Sequence, residues 1–118
     1  MPYMLLINEP VGQRAERGGA QGRVAYAQMV DWGETLKARG VLKATSALTG
    51  LDHAARLQVR DGQTRVVDGP FAEAKEMVGG FFLLDCASRD EAVAIAATCP
   101  AARWATVEVR ETGPCHLG

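Results

Sequence analysis

The sequence lacks a long hydrophobic run. None of its apolar segments reaches the roughly 18 residues that a membrane-spanning helix needs. The apolar stretch near its start has no basic segment before it and no small-residue cleavage site after it, unlike a secretory signal. We therefore expect a cytoplasmic protein with no membrane partner.

The sequence also lacks an excess of either charge. Its 13 Lys and Arg residues and 14 Asp and Glu residues leave a formal net charge of −1. Nucleic-acid-binding domains usually carry clustered positive charge, which attracts phosphates. The balance of charges therefore argues against a nucleic-acid partner.

Metal-binding and nucleotide-binding motifs are absent as well. The three cysteines, Cys86, Cys99 and Cys115, form no Cys-x-x-Cys pair, which favours reduced thiols over disulfides or zinc ligands. His116, beside Cys115, has no two further ligands at a suitable spacing. The glycine-rich segment 18–23 has neither the G-x-G-x-x-G nor the Walker spacing, so we interpret it as a flexible loop. We expect no metal and no cofactor.

What the sequence does contain is typical of one globular domain. Its 118 residues, 47% of them hydrophobic, predict a single domain over 1–118 that ends in a loose tail over 112–118. The segment 11–22 has no apolar period and is interpreted as a loop. The predicted strands are 3–7, 41–48, 54–60, 63–68, 76–85 and 106–111, and the predicted helices are 23–39 and 88–98.

This order of elements predicts an α+β fold. Two helices and one antiparallel sheet pack most economically with both helices on the same face, a ferredoxin-like arrangement. The segments 3–7 and 77–84 are apolar on both faces, however, and two helices cover only one face. The other face would be a large exposed apolar patch unless a second chain packed on it. We therefore predict a homodimer whose sheets face each other and enclose a barrel-like cavity.

The strongest hairpin signal in the chain is Asp61-Gly62, a pair that favours a tight two-residue turn. With these residues in the turn, Leu57 faces Val66, and Asp68 ends a mostly apolar face of the hairpin. A carboxylate at that place must find hydrogen-bond donors or lose its charge. We therefore expect the chemistry of the protein to lie around Asp68.

The segment after the hairpin carries a family resemblance. Residues 67–76 read Val-Asp-Gly-Pro-Phe-Ala-Glu-Ala-Lys-Glu, and Gly-Gly-Phe follows at 79–81. This string resembles the DGPF subgroup of the YCII-related family, and the segments 3–7, 59–62, 99–102 and 107–110 extend the resemblance over most of the chain. The resemblance implies a dimeric α+β barrel, which agrees with the prediction from the two apolar faces.

The resemblance implies two kinds of role. Some YCII-related proteins resemble lyases or dehydrochlorinases of small aromatic compounds, which use a His–Asp pair with the His on the first helix. The predicted first helix, 23–39, contains no His. DGPF proteins also often accompany sigma factors of the extracytoplasmic type, which implies a regulatory or accessory role.

Asp68 and His53 are the candidates for proton transfer. Asp68 could act as a general base or orient a ligand at the cavity mouth. The alternative is a tight Asp-Gly-Pro turn in which the carboxylate caps nearby amides. His53 follows Asp52 in a loop and could act as a proton shuttle, because imidazole titrates near neutrality. A solvated loop side chain is the alternative for His53.

Five further candidates would bind a ligand around the same turn. Lys75 could neutralise an acidic ligand with Glu73 in reach, although both could form exposed ion pairs worth at most ~1 kcal/mol. Phe71 could stack on a planar ligand, and core packing is its alternative role. Gly69 and Pro70 would shape the binding loop.

Together, these residues predict a homodimer that binds a small planar or acidic organic molecule in a cavity bordered by Asp68, Phe71 and Lys75. If the protein transforms that molecule, we expect cofactor-free proton transfer or elimination, with Asp68 as base and Lys75 stabilising negative charge. The alternatives are a non-catalytic accessory or sensor module in a sigma-factor pathway and a purely structural dimer.

Overall fold

The computed structural model describes residues 2–117, so Met1 and Gly118, the ends of the predicted domain and tail, lie outside the described residues. The strands are β1 (Pro2–Pro10), β2 (Leu42–Ala47), β3 (Ala55–Arg60), β4 (Gln63–Asp68), β5 (Glu76–Asp85) and β6 (Thr106–Glu111). The helices are α1 (Gln13–Arg17), α2 (Gly19–Ala38) and α3 (Arg89–Ala97), and three 3-10 turns span Leu51–His53, Pro100–Arg103 and Cys115–Leu117.

Four strands form one antiparallel sheet in the order β2-β5-β1-β6. The helices α2 and α3 pack on the same face of this sheet and share one core with it. The core contains Tyr3, Leu5 and Ile7 of β1, Trp32 and Leu36 of α2, Phe82 and Leu84 of β5, and Ala92, Ile95 and Ala96 of α3. This arrangement confirms the predicted ferredoxin-like α+β fold, with a hairpin inserted between β2 and β5.

Trp32 joins both helices to the sheet. Its ring meets that of Phe82 edge to face, with the ring centroids 4.8 Å apart. Its indole Nε1 donates a hydrogen bond to Thr98 Oγ1 at 2.9 Å, just after the end of α3. A buried indole N–H needs such a partner. At the start of α3, Ser88 Oγ accepts from the amide of Glu91 at 3.2 Å and so caps the helix.

The segment 11–22, predicted as a loop, is largely helical. A φ of 80° at Gly18 lets the chain turn from α1 directly into α2. Contacts with the distant residue Trp104 hold α1 in place. Gln13 donates to its carbonyl oxygen at 2.6 Å, and the Arg17 guanidinium lies over its ring. The prediction of a loop over 11–22, and of a flexible loop over 18–23, is therefore wrong. The low helix propensity of this segment is outweighed by these tertiary contacts.

The helix α2 packs on the sheet through its C-terminal half only. Its buried residues are Trp32, Gly33 and Leu36. A Cβ on Gly33 would lie 3.5 Å from the Phe82 ring, so this glycine stands where the helix approaches the sheet closely. In the N-terminal half, Val24 and Tyr26 are exposed. This half therefore overhangs the sheet and leaves space beneath it.

The hairpin of β3 and β4 has the predicted turn and register. Asp61 and Gly62 both have positive φ, 51° and 74°, as a type I′ turn requires, and Leu57 pairs with Val66. The hairpin is nevertheless a separate two-stranded sheet in which every residue is exposed. The expectation of one continuous sheet is wrong, because the 3-10 turn Leu51–His53 separates β3 from the edge strand β2.

The face of the four-stranded sheet opposite the helices is apolar at its centre, as predicted. Met4 and Leu6 of β1 pair with Leu83 and Phe81 of β5, and all four are half-buried in the single chain. We call these four residues the open sheet face.

The two ends of the described chain lie together. Thr112 donates to the carbonyl oxygen of Pro2 from both its amide and its hydroxyl, each at 3.1 Å. The looseness of the tail beyond it stays a prediction. Within residues 2–117, no helix is long and apolar enough to cross a membrane.

Candidate functional site

A large cleft lies between the overhanging half of α2, the helix α1 and the sheet. Its volume is about 1040 Å³. Small residues form much of its helical wall, and they are Ala15, Gly18, Gly19, Gly22 and Ala25. Three aromatic residues complete it: Tyr26 from α2, Phe82 from β5 and Trp104 from the segment before β6. These small residues leave space between the helices and the sheet where α2 overhangs it.

A buried ion pair lies in this cleft. Arg14 of α1 donates from Nε to Glu9 Oε2 at 3.0 Å and from Nη2 to Glu9 Oε1 at 2.6 Å. The Glu9 side chain is only 9% exposed, whereas that of Arg14 is 39% exposed. A buried carboxylate needs such a paired cation. The two-bond geometry fixes both groups relative to each other.

A bulge in β5 makes room for the Glu9 carboxylate. The register of β1 with β5 shifts between Ile7 and Asn8, which leaves Gly79 as an extra residue in β5. A Cβ on Gly79 would overlap Glu9 Oε1, so only a glycine leaves the space that the carboxylate occupies. One extra residue opposite an antiparallel partner strand is a β-bulge, and a glycine is well suited to it.

Glu9 and Arg14 were not among the predicted site residues. The signal for Glu9 was present, because it continues the alternation of Tyr3, Leu5 and Ile7 and so points to the helix-covered face. Arg14 could not be found in the same way, since its helix was predicted to be a loop.

A second, smaller cleft of about 480 Å³ lies on the other side of α1. It contains His53, Asp52 and Pro70. Arg14 and Ala15 line both clefts, so α1 forms the partition between them. The His53 Nε2 lies 3.6 Å from Asp52 Oδ2, and both side chains are largely exposed. Two of the predicted site residues, His53 and Pro70, thus lie at one cleft.

Asp68 is exposed at the end of β4 and lines neither cleft. The desolvation expected for this carboxylate is therefore not found in the single chain. Gly69, the next residue, has a structural role, because its amide donates to the Ala54 carbonyl oxygen at 2.8 Å. A Cβ on Gly69 would overlap the Leu51 carbonyl oxygen, and a cis peptide bond joins Gly69 to Pro70.

Phe71 is buried under an arginine. The Arg56 guanidinium lies 3.8 Å from the centroid of its ring, and Arg56 Nη1 also donates to Glu73 Oε1 at 2.8 Å. These contacts match core packing for Phe71 and a solvated ion pair for Glu73. Lys75 is exposed, and its carbonyl oxygen accepts from the Val11 amide at 2.9 Å. Glu73 and Lys75 line neither cleft, so the structure does not gather the predicted residues in one cavity.

Two of the three cysteines, Cys86 and Cys99, are buried. Burial raises the pKa of the Cys99 thiol and that of the Cys86 thiol above the ordinary value, which keeps both protonated near neutral pH. The Cys99 sulfur lies 3.8 Å from the Met29 sulfur. Within residues 2–117, no three His, Cys, Asp or Glu side chains are grouped so that they could hold a metal ion.

Comparison with known proteins places the chain in a family. The model of the YCII-related domain matches residues 1–114. The chain belongs to the YCII-related domain family. This confirms the resemblance seen in the sequence. An uncharacterized protein of Rhizobium meliloti (strain 1021) is 50% identical to the YCII-related chain over 54 residues, and this match covers 46% of the chain and 44% of that relative.

The fold of this YCII-related protein is similar to that of a solved enzyme. It is the 5-chloro-2-hydroxyhydroquinone dehydrochlorinase from Burkholderia phenoliruptrix AC1100, solved in complex with 2,5-dihydroxybenzoquinone. The TM-score is 0.57 at 18% identity, and the match covers 98% of both chains. At this level of identity, the likeness concerns the fold alone.

Proposed function

We propose that the protein is a homodimer that binds a small planar organic molecule with an acidic or phenolic group in the large cleft beneath α2. One observation carries the proposal: an aromatic-lined cleft contains the buried Glu9 carboxylate, held by two hydrogen bonds from Arg14. Small-molecule sites typically combine apolar walls with a few oriented polar groups.

The size and walls of the cleft support a planar ligand. Its volume of about 1040 Å³ lies at the upper end of the roughly 300–1,000 Å³ that is usual for small-molecule sites. Tyr26, Phe82 and Trp104 offer ring faces and edges to an aromatic or quinonoid ring. The glycines and alanines of the helical wall let such a ring approach the helix backbone.

The charge of the cleft supports an acidic group on that ligand. Arg14 uses Nε and Nη2 for Glu9, and its Nη1 makes no hydrogen bond within the described part of the chain. This N–H is therefore open to a carboxylate or phenolate oxygen. Glu9, an acceptor only when ionised, would bind a hydroxyl hydrogen of the same ligand.

The same two residues support proton transfer as the reaction, if the ligand is transformed. Glu9 would accept a proton from the ligand, and Arg14 would stabilise the negative charge left on it. No further group is required for this step. The sequence assigned the role of base to Asp68, with His53 as a shuttle; that role stays a prediction, since Asp68 lies outside both clefts of the single chain.

The open sheet face supports the homodimer. Met4, Leu6, Phe81 and Leu83 form a contiguous apolar surface on a sheet whose other face already carries both helices. A second sheet packed on it would remove this surface from water.

The dehydrochlorinase of similar fold was solved with a dihydroxybenzoquinone, which belongs to the ligand class proposed here.

A thermal-shift titration with 2,5-dihydroxybenzoquinone, benzoic acids and phenols tests the proposal. A ligand at about 100 times its Kd adds roughly 2.7 kcal/mol, and we expect a rise of several degrees in Tm. The Asp68→Asn variant is expected to show the same shift, because Asp68 does not line the cleft. A shift that is lost in Asp68→Asn would instead place the ligand at the turn after β4.

Chromatography of the incubated ligand then separates two forms of the proposal. Consumption of the ligand supports proton transfer or elimination. Saturable binding without product supports a non-catalytic accessory or sensor role. No shift with any compound, at a concentration of several millimolar, contradicts the proposal.

A further inference from the structure

The hairpin of β3 and β4 carries an uncovered apolar face. Leu57, Val59 and Val66 lie on this face with exposed fractions of 61%, 53% and 57%. A two-stranded hairpin on its own is marginally stable at best in water, and it needs a further layer to pack against. The apolar side chains on this face are thus the ones that a covering layer would bury.

The contacts that anchor the hairpin to its own chain lie at its base. The Gly69 amide donates to Ala54, and Arg56 contacts both Phe71 and Glu73. Arg56 points to the face opposite Leu57, because neighbouring residues of a strand alternate between faces. These anchors therefore hold the polar face and leave the apolar face for another partner.

The areas of the hairpin face and of the sheet face can be compared with the area that a stable interface needs. Strands of six residues at about 3.4 Å per residue and 4.8 Å spacing give a hairpin face of roughly 200 Å². The whole face of the four-stranded sheet around the open sheet face measures roughly 400 Å² for four strands of that length. A stable interface takes roughly 800 Å² from each partner. Neither surface is sufficient alone, whereas both together approach the required area.

We propose that a second copy of this chain covers both surfaces, so that the apolar face of each hairpin packs against the partner subunit. The inference rests on the homodimer proposed above and adds the hairpin to its interface. A symmetric dimer buries each surface twice, once in each subunit. The two small patches of one chain can therefore form the interface together. A net charge of −1 means that the two copies repel each other little.

This arrangement gives Asp68 a new environment. Asp68 shares the hairpin face with Leu57 and Val66, since β4 pairs with β3 in the register Ala55–Asp68 and Leu57–Val66. A subunit that covers this face would lie against the carboxylate. The partner subunit would then supply the desolvation that Asp68 does not experience in the single chain.

Two variants of neighbouring residues test the inference. Leu57→Glu places a charge on the apolar face, and Gln58→Glu places the same charge on the opposite face of the same strand. We expect the dimer Kd, measured by analytical ultracentrifugation, to rise roughly a hundredfold or more for Leu57→Glu, since each dimer buries this leucine twice. Gln58→Glu should change it less than about threefold. Circular dichroism checks that the core remains folded.

Hydrogen exchange gives a second readout that needs no variant. The amides of β3 and β4 should exchange slowly at concentrations above the dimer Kd and faster on dilution below it. A wild-type dimer that Leu57→Glu weakens no more than Gln58→Glu, or whose hairpin amides exchange equally fast at both concentrations, overturns the hairpin inference but leaves the dimer and the cleft ligand in place. A wild-type monomer at micromolar concentration overturns both the inference and the proposed dimer.

Discussion

Arg14→Met is expected to weaken ligand binding roughly 10- to 100-fold, because a hydrogen bond to a charged group contributes about 1.5–3 kcal/mol. It is also expected to lower the free energy of unfolding by about 2 kcal/mol. Breaking a buried ion pair costs about 3–5 kcal/mol, and the partial exposure of the Arg14 side chain, 39%, reduces that value. Calorimetric titration and urea denaturation measure the two effects.

Two controls separate the causes of these effects. Arg103→Met removes an exposed arginine that does not line the cleft, and it should change neither quantity. The double variant Glu9→Gln/Arg14→Met removes both charges and should be more stable than Arg14→Met, since no carboxylate is then left unpaired. If the double variant is as unstable as Arg14→Met, the loss comes from packing of the arginine chain and not from the buried charge.

Gly69→Ala is expected to lower the free energy of unfolding by about 3 kcal/mol, at the upper end of the usual overpacking range. The new Cβ would overlap the Leu51 carbonyl oxygen and lie 3.3 Å from the Ala54 carbonyl oxygen. Both are backbone atoms, so no side-chain rotation can relieve the contact. The hairpin base would have to move away from the 3-10 turn before it.

Gly113→Ala is the matched control for this substitution, because an added Cβ there has no neighbour within 4 Å among the described residues. Its effect in urea denaturation should stay within about 0.5 kcal/mol of wild type. A Gly69→Ala variant as stable as Gly113→Ala would contradict a structural role for the turn and return attention to ligand binding at Asp68.

Patterns that depend on neighbouring residues were predicted well from the sequence. The hairpin turn at Asp61-Gly62 and its register follow from local chemistry, which a few residues determine. The ferredoxin-like packing followed from the order of two helices and six strands, which pack most economically with both helices on one face. Both faces of β1 are apolar, so the open sheet face was also predicted.

The candidate site was predicted less well, because it depends on contacts between distant residues. The short helix α1 has weak intrinsic propensity and is held by Trp104, 91 residues from Gln13. The cleft exists because α2 overhangs the sheet, and no periodicity of the sequence shows where a helix leaves its sheet. The conspicuous Asp-Gly-Pro-Phe string drew the prediction to Asp68, whereas the buried charge of the cleft is Glu9.

The most direct test of the central claim, that the cleft beneath α2 is the ligand site, is a calorimetric titration of Gly22→Leu with the best ligand of the thermal-shift series. Gly22 lines the cleft, and an added Cβ has no neighbour within 4 Å among the described residues, so the leucine enters the cleft without a clash at its base. Replacing a helical glycine should raise stability by up to about 1 kcal/mol. Ala27→Leu, on the exposed side of the same helix, is the control.

Gly22→Leu is expected to weaken binding at least about tenfold, because the leucine occupies space that the ligand needs, while its Tm is equal to or above that of wild type. Ala27→Leu should bind as wild type does. Unchanged affinity in Gly22→Leu would contradict the account and place the ligand elsewhere on the protein.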